Sequence, residues 1–333
     1  MTRRIVFVTG GAGFIGSNIV ARLAEDRALD LVVCDHLHAV DSGKWRNLAK
    51  HAIGDFVHPD DMFDWLEKRW RDVEFVVHMG AVSSTTEPDA DKIIRSNFQL
   101  SRDLFRWCAD RQRRLVYASS AATYGAGEHG FDDDNDYEAL ARLAPLNTYG
   151  WSKALFDLFA ARQAARDYAP PQWVGLKFFN VYGPNEEHKH SMKSVASQIW
   201  PKVRDGHAVQ LFKSYRGDVP DGGQKRDFVY VRDAADVTRW LFENPQVNGI
   251  YNLGSGVART FEDMARQVFE AAGKNAQIEY TPMPPAIRDK YQYFTEARME
   301  RLAAAGYDRP LTSLEDGIGD YVGGYLSQPD PYR

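Results

Sequence analysis

Tyr149 and Lys153 stand four residues apart in the run Tyr149-Gly150-Trp151-Ser152-Lys153, which opens a helical pattern extending to Arg162. That spacing puts both side chains on one face of a helix. A tyrosine hydroxyl, with a pKa of about 10 in water, is a poor base at neutral pH. A lysine cation one turn away favours the phenolate, and a positively charged cofactor ring would add to the effect. Upstream, the strand-like run Arg114 to Ala118 leads into Ser119-Ser120. A hydroxyl presented from that strand end, on Ser120, can bond the same substrate oxygen. A Tyr-x-x-x-Lys pair occurs often by chance, so its weight depends on what the rest of the chain supplies.

The N-terminus supplies a place for a cofactor. Ile5 to Val8 is an apolar run of the kind a strand buried on both faces of a parallel sheet requires. It ends in glycines at three-residue spacing, Gly10, Gly13 and Gly16, and Ser17 to Leu23 then follows a helical pattern. Glycine permits a tight turn and lets backbone N–H groups approach a pyrophosphate. The helix N-terminus adds unpaired donors and the positive end of its dipole. A strand before the triplet and a helix after it are the context that a dinucleotide site demands.

Further strands extend the same arrangement. Leu31 to Cys34 ends at Asp35, 19 residues past Gly16, where a carboxylate can bond the two ribose hydroxyls of an adenosine. Alone, Asp35 favours NAD, because a carboxylate repels a 2′-phosphate; His36, His38, Lys44 and Arg46 follow closely and could attract one. The bland alternative is a set of surface loop residues. Glu74 to His78 runs into Met79-Gly80-Ala81-Val82-Ser83, small enough for a cofactor to lie across the sheet edge. Asn97, early in a helix running to Cys108, could steady the backbone or simply pack. Trp173 to Phe179 ends in Asn180-Val181-Tyr182-Gly183-Pro184, after which the regular alternation breaks up. The expected fold is α/β: a Rossmann-type doubly wound parallel sheet over residues 1–180, with 225–254 returning to it. A smaller α+β C-terminal substrate domain would take 181–224 and 255–333.

The polar run Asn185 to Met192 contains Lys189, which is a second proton-transfer group if buried beside substrate and an ordinary cation if exposed. On residue types alone the exposed reading prevails. Ser214 to Gln224 holds four glycine or proline residues and reads as a mobile loop. In the strand-like run after it, Arg226 could clamp a diphosphate through its forked donors, or form a salt bridge with Asp227 or Asp233.

Composition narrows the classes. The chain has 333 residues, 44% of them hydrophobic, enough for a sizeable core in one large or two modest domains. Forty-six acidic against 41 basic side chains give a net charge of −5, which offers nothing to nucleic acid. The acidic run Asp132 to Asp136 reads as a surface loop. Cys34 and Cys108 sit in apolar surroundings without metal-ligand spacing, and no metal site is expected. Neither a signal region nor a membrane-length apolar run is present, so a cytoplasmic enzyme is the default.

Taken together, the glycine triplet, Ser120, Tyr149 with Lys153, Asn180 to Pro184 and Arg226-Asp227-Phe228-Val229 resemble the extended short-chain dehydrogenase/reductase family over essentially the whole chain. The resemblance implies a nucleotide-sugar enzyme with a Rossmann domain for NAD(P). It is closer to the branch of that family that inverts the sixth carbon of ADP-linked heptoses for the lipopolysaccharide inner core. His188-Lys189 with Ser191-Met192 is the most specific stretch for that branch and reverses the reading of Lys189. By resemblance, Ser120, Tyr149, Lys153 and Lys189 are catalytic. Phe14 and Ile15 join the glycines, Asp35, His36 and Lys44 in contacting cofactor, as do Met79, Gly80, Ala81, Val82, Ser83, Asn97, Lys153 and Val181. Asn180, Ser191, Gln198 and Arg226 would contact substrate, together with Phe212, Lys213, Ser214, Tyr215 and Tyr291.

The same resemblance implies tightly bound NADP, with NAD also admissible, and a homo-oligomer, of which a pentamer is one form. The sequence departs from the branch at Pro59, where a cofactor-side lysine is usual, at Gln198, where a histidine is usual, and in a longer 217–224 loop. Pro59 weakens the preference for NADP. The rivals are a UDP-sugar 4-epimerase, a nucleotide-sugar 4,6-dehydratase and a non-catalytic NAD(P) sensor. A dehydratase would call for an Asp-Glu pair where Ala121-Ala122 stand.

Overall fold

The structure is a computed structural model that describes residues 4–85, 87–288 and 291–333. Its strands, in chain order, are β1 (Arg4–Thr9), β2 (Leu29–Cys34), β3 (Asp55–Val57), β4 (Val73–His78), β5 (Arg114–Ser120), β6 (Trp173–Phe178), β7 (Asn180–Tyr182), β8 (Val209–Phe212), β9 (Lys225–Tyr230), β10 (Gly249–Leu253), β11 (Ala258–Thr260) and β12 (Ile278–Thr281). Seven of them form one parallel sheet in the order β10-β6-β5-β4-β1-β2-β3.

β1 explains why these strands are apolar throughout. Val6 and Val8 point into a core shared with the helices Phe14–Leu23 and Val231–Glu243, while Ile5 and Phe7 point into a second core against the helices Leu100–Asp110 and Thr148–Ala164. With helices on both faces, neither side of the strand meets water. β1 pairs with β2 on one side and β4 on the other, so the strand order reverses there. A crevice opens outside the carboxyl ends of β1 and β4, where open α/β sheets bind ligands.

The remaining strands make two small sheets, β11-β9-β7 and β12-β8. β7 follows β6 after one residue and pairs parallel with β9, so the chain passes from the large sheet to the smaller one at Asn180. The helix after β9 and strand β10 then return to the large sheet. A third core, including Tyr182, Trp200, Phe228, Tyr230, Met264, Phe269 and Tyr321, holds the smaller sheets to their helices. Among the described residues no helix is long and apolar enough to cross a membrane.

The acidic run is not a plain surface loop. Asp133 is buried and accepts the Asn252 N–H at 2.8 Å, while the Asn135 amide oxygen accepts the Ile250 N–H at 2.7 Å. β10 is an edge strand, and these side chains satisfy donors that no neighbouring strand can reach.

Candidate active site

The glycine turn is dictated by crowding. Gly10 has φ +65°, and a Cβ there would lie 2.5 Å from the Gly80 nitrogen; one on Gly16 would lie 2.1 Å from the Gly10 carbonyl oxygen. The ends of β1 and β4 therefore meet backbone to backbone at the switch point. Gly13 starts the helix without a side chain to cap it, leaving the N-terminal donors toward the crevice.

Ser120 closes β5, and its hydroxyl accepts the Ala122 N–H at 3.1 Å. Tyr149 lies in the first turn of the helix Thr148–Ala164, which Asn147 caps by accepting the Gly150 N–H at 2.8 Å. Burial raises the Tyr149 pKa, and a hydrogen bond with Ser120 pulls it down. The depression expected from Lys153 is therefore not what dominates in the protein alone. The Lys153 ammonium donates to the Ala118 carbonyl at 2.7 Å, and burial lowers its pKa to about 8.

Lys189 comes from a separate segment. It sits in the short turn Glu187–Met192, in which His190 has φ +48°. Its ammonium lies 4.7 Å from the centre of the Phe14 ring, and burial lowers its pKa while the nearby Glu186 raises it. The exposed reading of Lys189 thus fails: the side chain is half-buried and lines the cleft.

One cleft of about 510 Å³ collects Phe14, Ile15, Met79, Ala81, Ser83, Ser120, Tyr149, Lys153, Asn180, Val181, Lys189, Arg226 and Tyr291. A neighbouring cavity of about 810 Å³ shares Ser120, Tyr149, Asn180, Arg226 and Tyr291 and adds Gln292 and Thr295. Arg226 is buried between the rings of Tyr291 and Phe261, at 5.2 and 5.5 Å. Among the described residues no carboxylate pairs with it. Asp227 instead takes the N–H groups of Ser255, Gly256 and Ala297, and Asp233 takes Thr312. The salt-bridge alternative for Arg226 is set aside.

Other expected site residues lie farther out. Ser191, Gln198 and Lys213 are exposed and do not line either cavity; the Gln198 amide donates to the Ser191 and Lys193 carbonyls. Phe212 packs edge-on against Tyr291, and the Tyr215 N–H donates to the Tyr293 hydroxyl at 2.9 Å. The Ser214 N–H donates to Asp221 within the same loop. Asn97 does not enter the cleft: its side chain bonds both the N–H and C=O of Val82, at 2.8 and 2.9 Å, and reaches Ser152 on the Tyr149 helix. It ties the Met79–Ser83 turn to the Tyr149 helix from a π-turn spanning Ile94–Gln99.

At the carboxyl end of β2, Asp35 accepts the Ala12 N–H at 2.9 Å, the His36 N–H at 2.7 Å and the Lys44 ammonium at 2.6 Å. Lys44 is not a loose surface cation but a buried one that neutralises Asp35.

The family model described as the NAD dependent epimerase/dehydratase family matches residues 6–254. The chain belongs to that family. It is 47% identical over 328 residues to an ADP-L-glycero-D-manno-heptose-6-epimerase of Nitratidesulfovibrio vulgaris, covering 98% of this chain and 99% of the relative. Among solved structures it is similar to the Helicobacter pylori ADP-L-glycero-D-manno-heptose-6-epimerase, with TM-score 0.78, 27% identity and coverage of 97% and 96%. It is also similar to the Thermus thermophilus UDP-glucose 4-epimerase complex with NAD, with TM-score 0.72, 28% identity and coverage of 95% and 96%.

Several residues of this epimerase/dehydratase fold that position the site carry little sequence signal. Asn47 is fully buried; its amide nitrogen lies 2.9 Å from the Ala12 carbonyl, 3.2 Å from the Asn185 carbonyl and 3.2 Å from the His188 ring. It joins the glycine turn to the Lys189 segment. Glu186, also buried, accepts from the Ser194 N–H at 2.6 Å and the Tyr321 hydroxyl at 2.9 Å. Arg288 stacks on Tyr215 at 3.7 Å and donates to the Met283 carbonyl at 2.9 Å. Asp157, by contrast, had a usable signal. It stands four residues past Lys153 on the same helix face, and accepts from Lys177 at 2.8 Å, Ser119 at 2.6 Å and Tyr117 at 3.0 Å.

Proposed function

We propose that this isomerase interconverts ADP-D-glycero-D-manno-heptose and ADP-L-glycero-D-manno-heptose by way of a transient 6-keto sugar, as part of lipopolysaccharide core assembly in the cytoplasm. The observation that carries the reading is that Tyr149 and Lys189, from separate elements, line one cleft, with Ser120 bonded to the first. An inversion without net redox change presents two faces of one carbon to one cofactor, which suits two proton-transfer groups, one for each face. The near full-length 47% identity to a named heptose epimerase supplies the substrate class.

The chain's own atoms fit a nicotinamide dinucleotide. The glycine contacts leave room for backbone approach only, and the uncapped helix start offers donors to a pyrophosphate. Phe14, Ile15 and Gly16 would hold that pyrophosphate, Asp35, His36 and Lys44 the adenosine ribose, and Lys153, Val181 and the 79–83 turn the nicotinamide end. The nicotinamide, when bound, supplies reversible acceptance of a hydrogen from the sugar carbon. We read it as NADP, because Lys44 neutralises the carboxylate that would otherwise repel a 2′-phosphate. The domain division at residue 180 and a homo-oligomeric assembly belong to the same proposal.

In this reading Tyr149 takes or returns the hydroxyl proton on one face, with Ser120 holding the oxygen. Lys189 does so on the other face; its lowered pKa leaves a larger neutral fraction near neutral pH. Arg226 and Tyr291 hold the diphosphate end, since a buried guanidinium free of carboxylates suits a phosphate oxygen pair. Lys153 orients the ribose.

Incubation with one ADP-heptose epimer, followed by NMR, should give a mixture of both, with substrate-derived deuterium at the sixth carbon retained in product. Unchanged ADP-heptose beside turned-over UDP-galactose would overturn the reading in favour of a 4-epimerase. Deuterium accumulating in free cofactor would make the enzyme a net oxidoreductase.

A further inference from the structure

The segment 330–333 has no regular secondary structure, yet it joins Lys50 to the residues that lead into the Lys189 turn. At one end the Lys50 ammonium lies 2.9 Å from the Asp330 carboxylate and donates to the Tyr332 carbonyl at 2.6 Å. At the other, the Arg333 N–H donates to the Asn185 amide oxygen at 2.8 Å, and the Arg333 guanidinium donates to the Asn18 amide oxygen at 3.2 Å. None of these four residues lines either cavity of the site.

The two ends differ in worth. Lys50 and Asp330 are exposed, and an ion pair of that kind holds weakly. Asn185, Asn18 and Ser17 are buried, where a polar atom left without its partner is costly. The strap therefore bears mainly on Asn185.

Asn185 is where the chain reverses into the Lys189 turn. Its φ is +74°, a left-handed value that asparagine tolerates better than most residues. Its side chain is fixed at both ends: the oxygen accepts from Arg333, and the nitrogen donates to the Ser17 hydroxyl at 3.0 Å. One residue earlier, the Pro184 carbonyl accepts from the Asn18 amide at 2.9 Å. Ser17 and Asn18 stand on the helix Phe14–Leu23, whose first residue places its ring under the Lys189 ammonium. The approach of Lys189 to that helix is thus set through Asn185, and Arg333 holds Asn185 in place.

We propose that Arg333 is a positioning residue for Lys189, acting through Asn185. The inference rests on the reading of Lys189 as a proton-transfer group and adds the segment that keeps it within reach. A proton-transfer group that drifts from its place slows the chemical step. Substrate binding, assigned to Arg226 and Tyr291 on other segments, should change little.

The test uses the full chain with ADP-heptose as substrate. Arg333→Pro deletes the backbone donor together with the side chain, and Arg333→Ala deletes the side chain alone. Arg333→Pro should lower kcat about tenfold at a KM within about twofold of wild type, and Arg333→Ala should lower kcat by less than about threefold. Asn185→Gly keeps the left-handed backbone and cuts the same link from the acceptor side, with a similar fall in kcat. The double variant Arg333→Pro/Asn185→Gly should be no slower than Asn185→Gly alone. Amide hydrogen exchange reads the link without turnover. It should quicken over 186–193 in Arg333→Pro and in Asn185→Gly, and keep the wild-type rate over 148–164. Equal losses in Arg333→Ala and Arg333→Pro, additive losses in the double variant, or exchange that quickens in both segments or in neither overturns the positioning role. A wild type that leaves ADP-heptose unchanged, while the variants show the local exchange pattern, overturns the proposed function and not the hold of Arg333 on the Lys189 turn.

Discussion

The two walls of the cleft are built on different plans. Tyr149 stands on a 17-residue helix packed against the large sheet, beside a strand end that offers Ser120. Behind it lies a fully buried ion pair, Asp157 with Lys177, that also gathers Tyr117, Ser119 and Thr123. Lys189 stands on a six-residue turn with a left-handed residue inside it, fastened by Asn47 from one direction and Glu186 from another. The first wall is held by regular secondary structure and tied to the core. The second is held by polar contacts between segments distant in sequence. Disturbing the Tyr149 wall should therefore cost global stability, and disturbing the Lys189 wall should cost catalysis first.

The largest effects test the symmetry of role against this asymmetry of construction. On the proposed reading, in which each removes proton transfer on one face of the carbon, Tyr149→Phe and Lys189→Met should each slow epimerisation by about 10²–10⁴-fold. Both variants should keep the wild-type melting temperature within a few degrees, since neither side chain anchors a core. Full inversion at normal rate in Lys189→Met would leave Tyr149 as the sole proton-transfer group.

Next in size is the buried pair. Asp157→Asn leaves the Lys177 ammonium without a counter-charge in a site where both side chains are inaccessible, and should destabilise the protein by about 3–5 kcal/mol. Chemical denaturation reads this directly. Asn47→Ala is the matching cut on the other wall. It removes donors from Ala12, Asn185 and His188, and should cost about 1–3 kcal/mol. Its larger signature should be a lower kcat, from a Lys189 turn that no longer holds its place, with a smaller loss of stability than in Asp157→Asn. A variant with the reverse pattern, unstable but fully active, would break the contrast between the walls.

The same contrast decides what could be read from the sequence. The Tyr149 wall is legible because its parts are local: short strand-like runs, helical periodicity, a glycine triplet and an i,i+4 pair. β5 runs two residues beyond the expected Ala118, to Ser120 itself, a boundary shift that changes nothing. The short strand Asp55–Val57 escaped notice because its exposed Asp55 and Phe56 give no apolar run. The burial of Lys44 could not be read from a loop of mixed charge, since it depends on Asp35 folding back onto the glycine turn. Asp133 and Asn135 were misread for a related reason: only the position of β10 at the sheet edge gives their oxygens something to accept. Lys177, by contrast, carries a signal of its own. A lysine inside the otherwise apolar Trp173–Phe178 predicts a buried partner, and Asp157 was the carboxylate on the facing helix.

The smallest expected effect bears on how Lys189 is tuned. Burial lowers its pKa and Glu186 raises it, so the carboxylate works against the neutral amine that a base requires. Glu186→Gln removes the charge; its one amide oxygen can still accept the Ser194 N–H, while its NH2 replaces the other oxygen and donates to the Ser194 and Tyr321 hydroxyls, which can turn to accept. With the charge gone the Lys189 pKa falls further, and the acidic limb of the kcat profile, where the amine becomes protonated, should move to lower pH. When Lys189 instead serves as the acid, the basic limb moves the same way, so the whole profile shifts toward acid rather than narrowing. The Glu186 carboxyl is itself raised by burial. Below its own titration the wild type carries no charge there either, and the two profiles should converge. A variant profile displaced toward alkali, or one parallel to the wild type down to the lowest pH, would mean that Glu186 supports the Ser194 turn without setting the charge of Lys189.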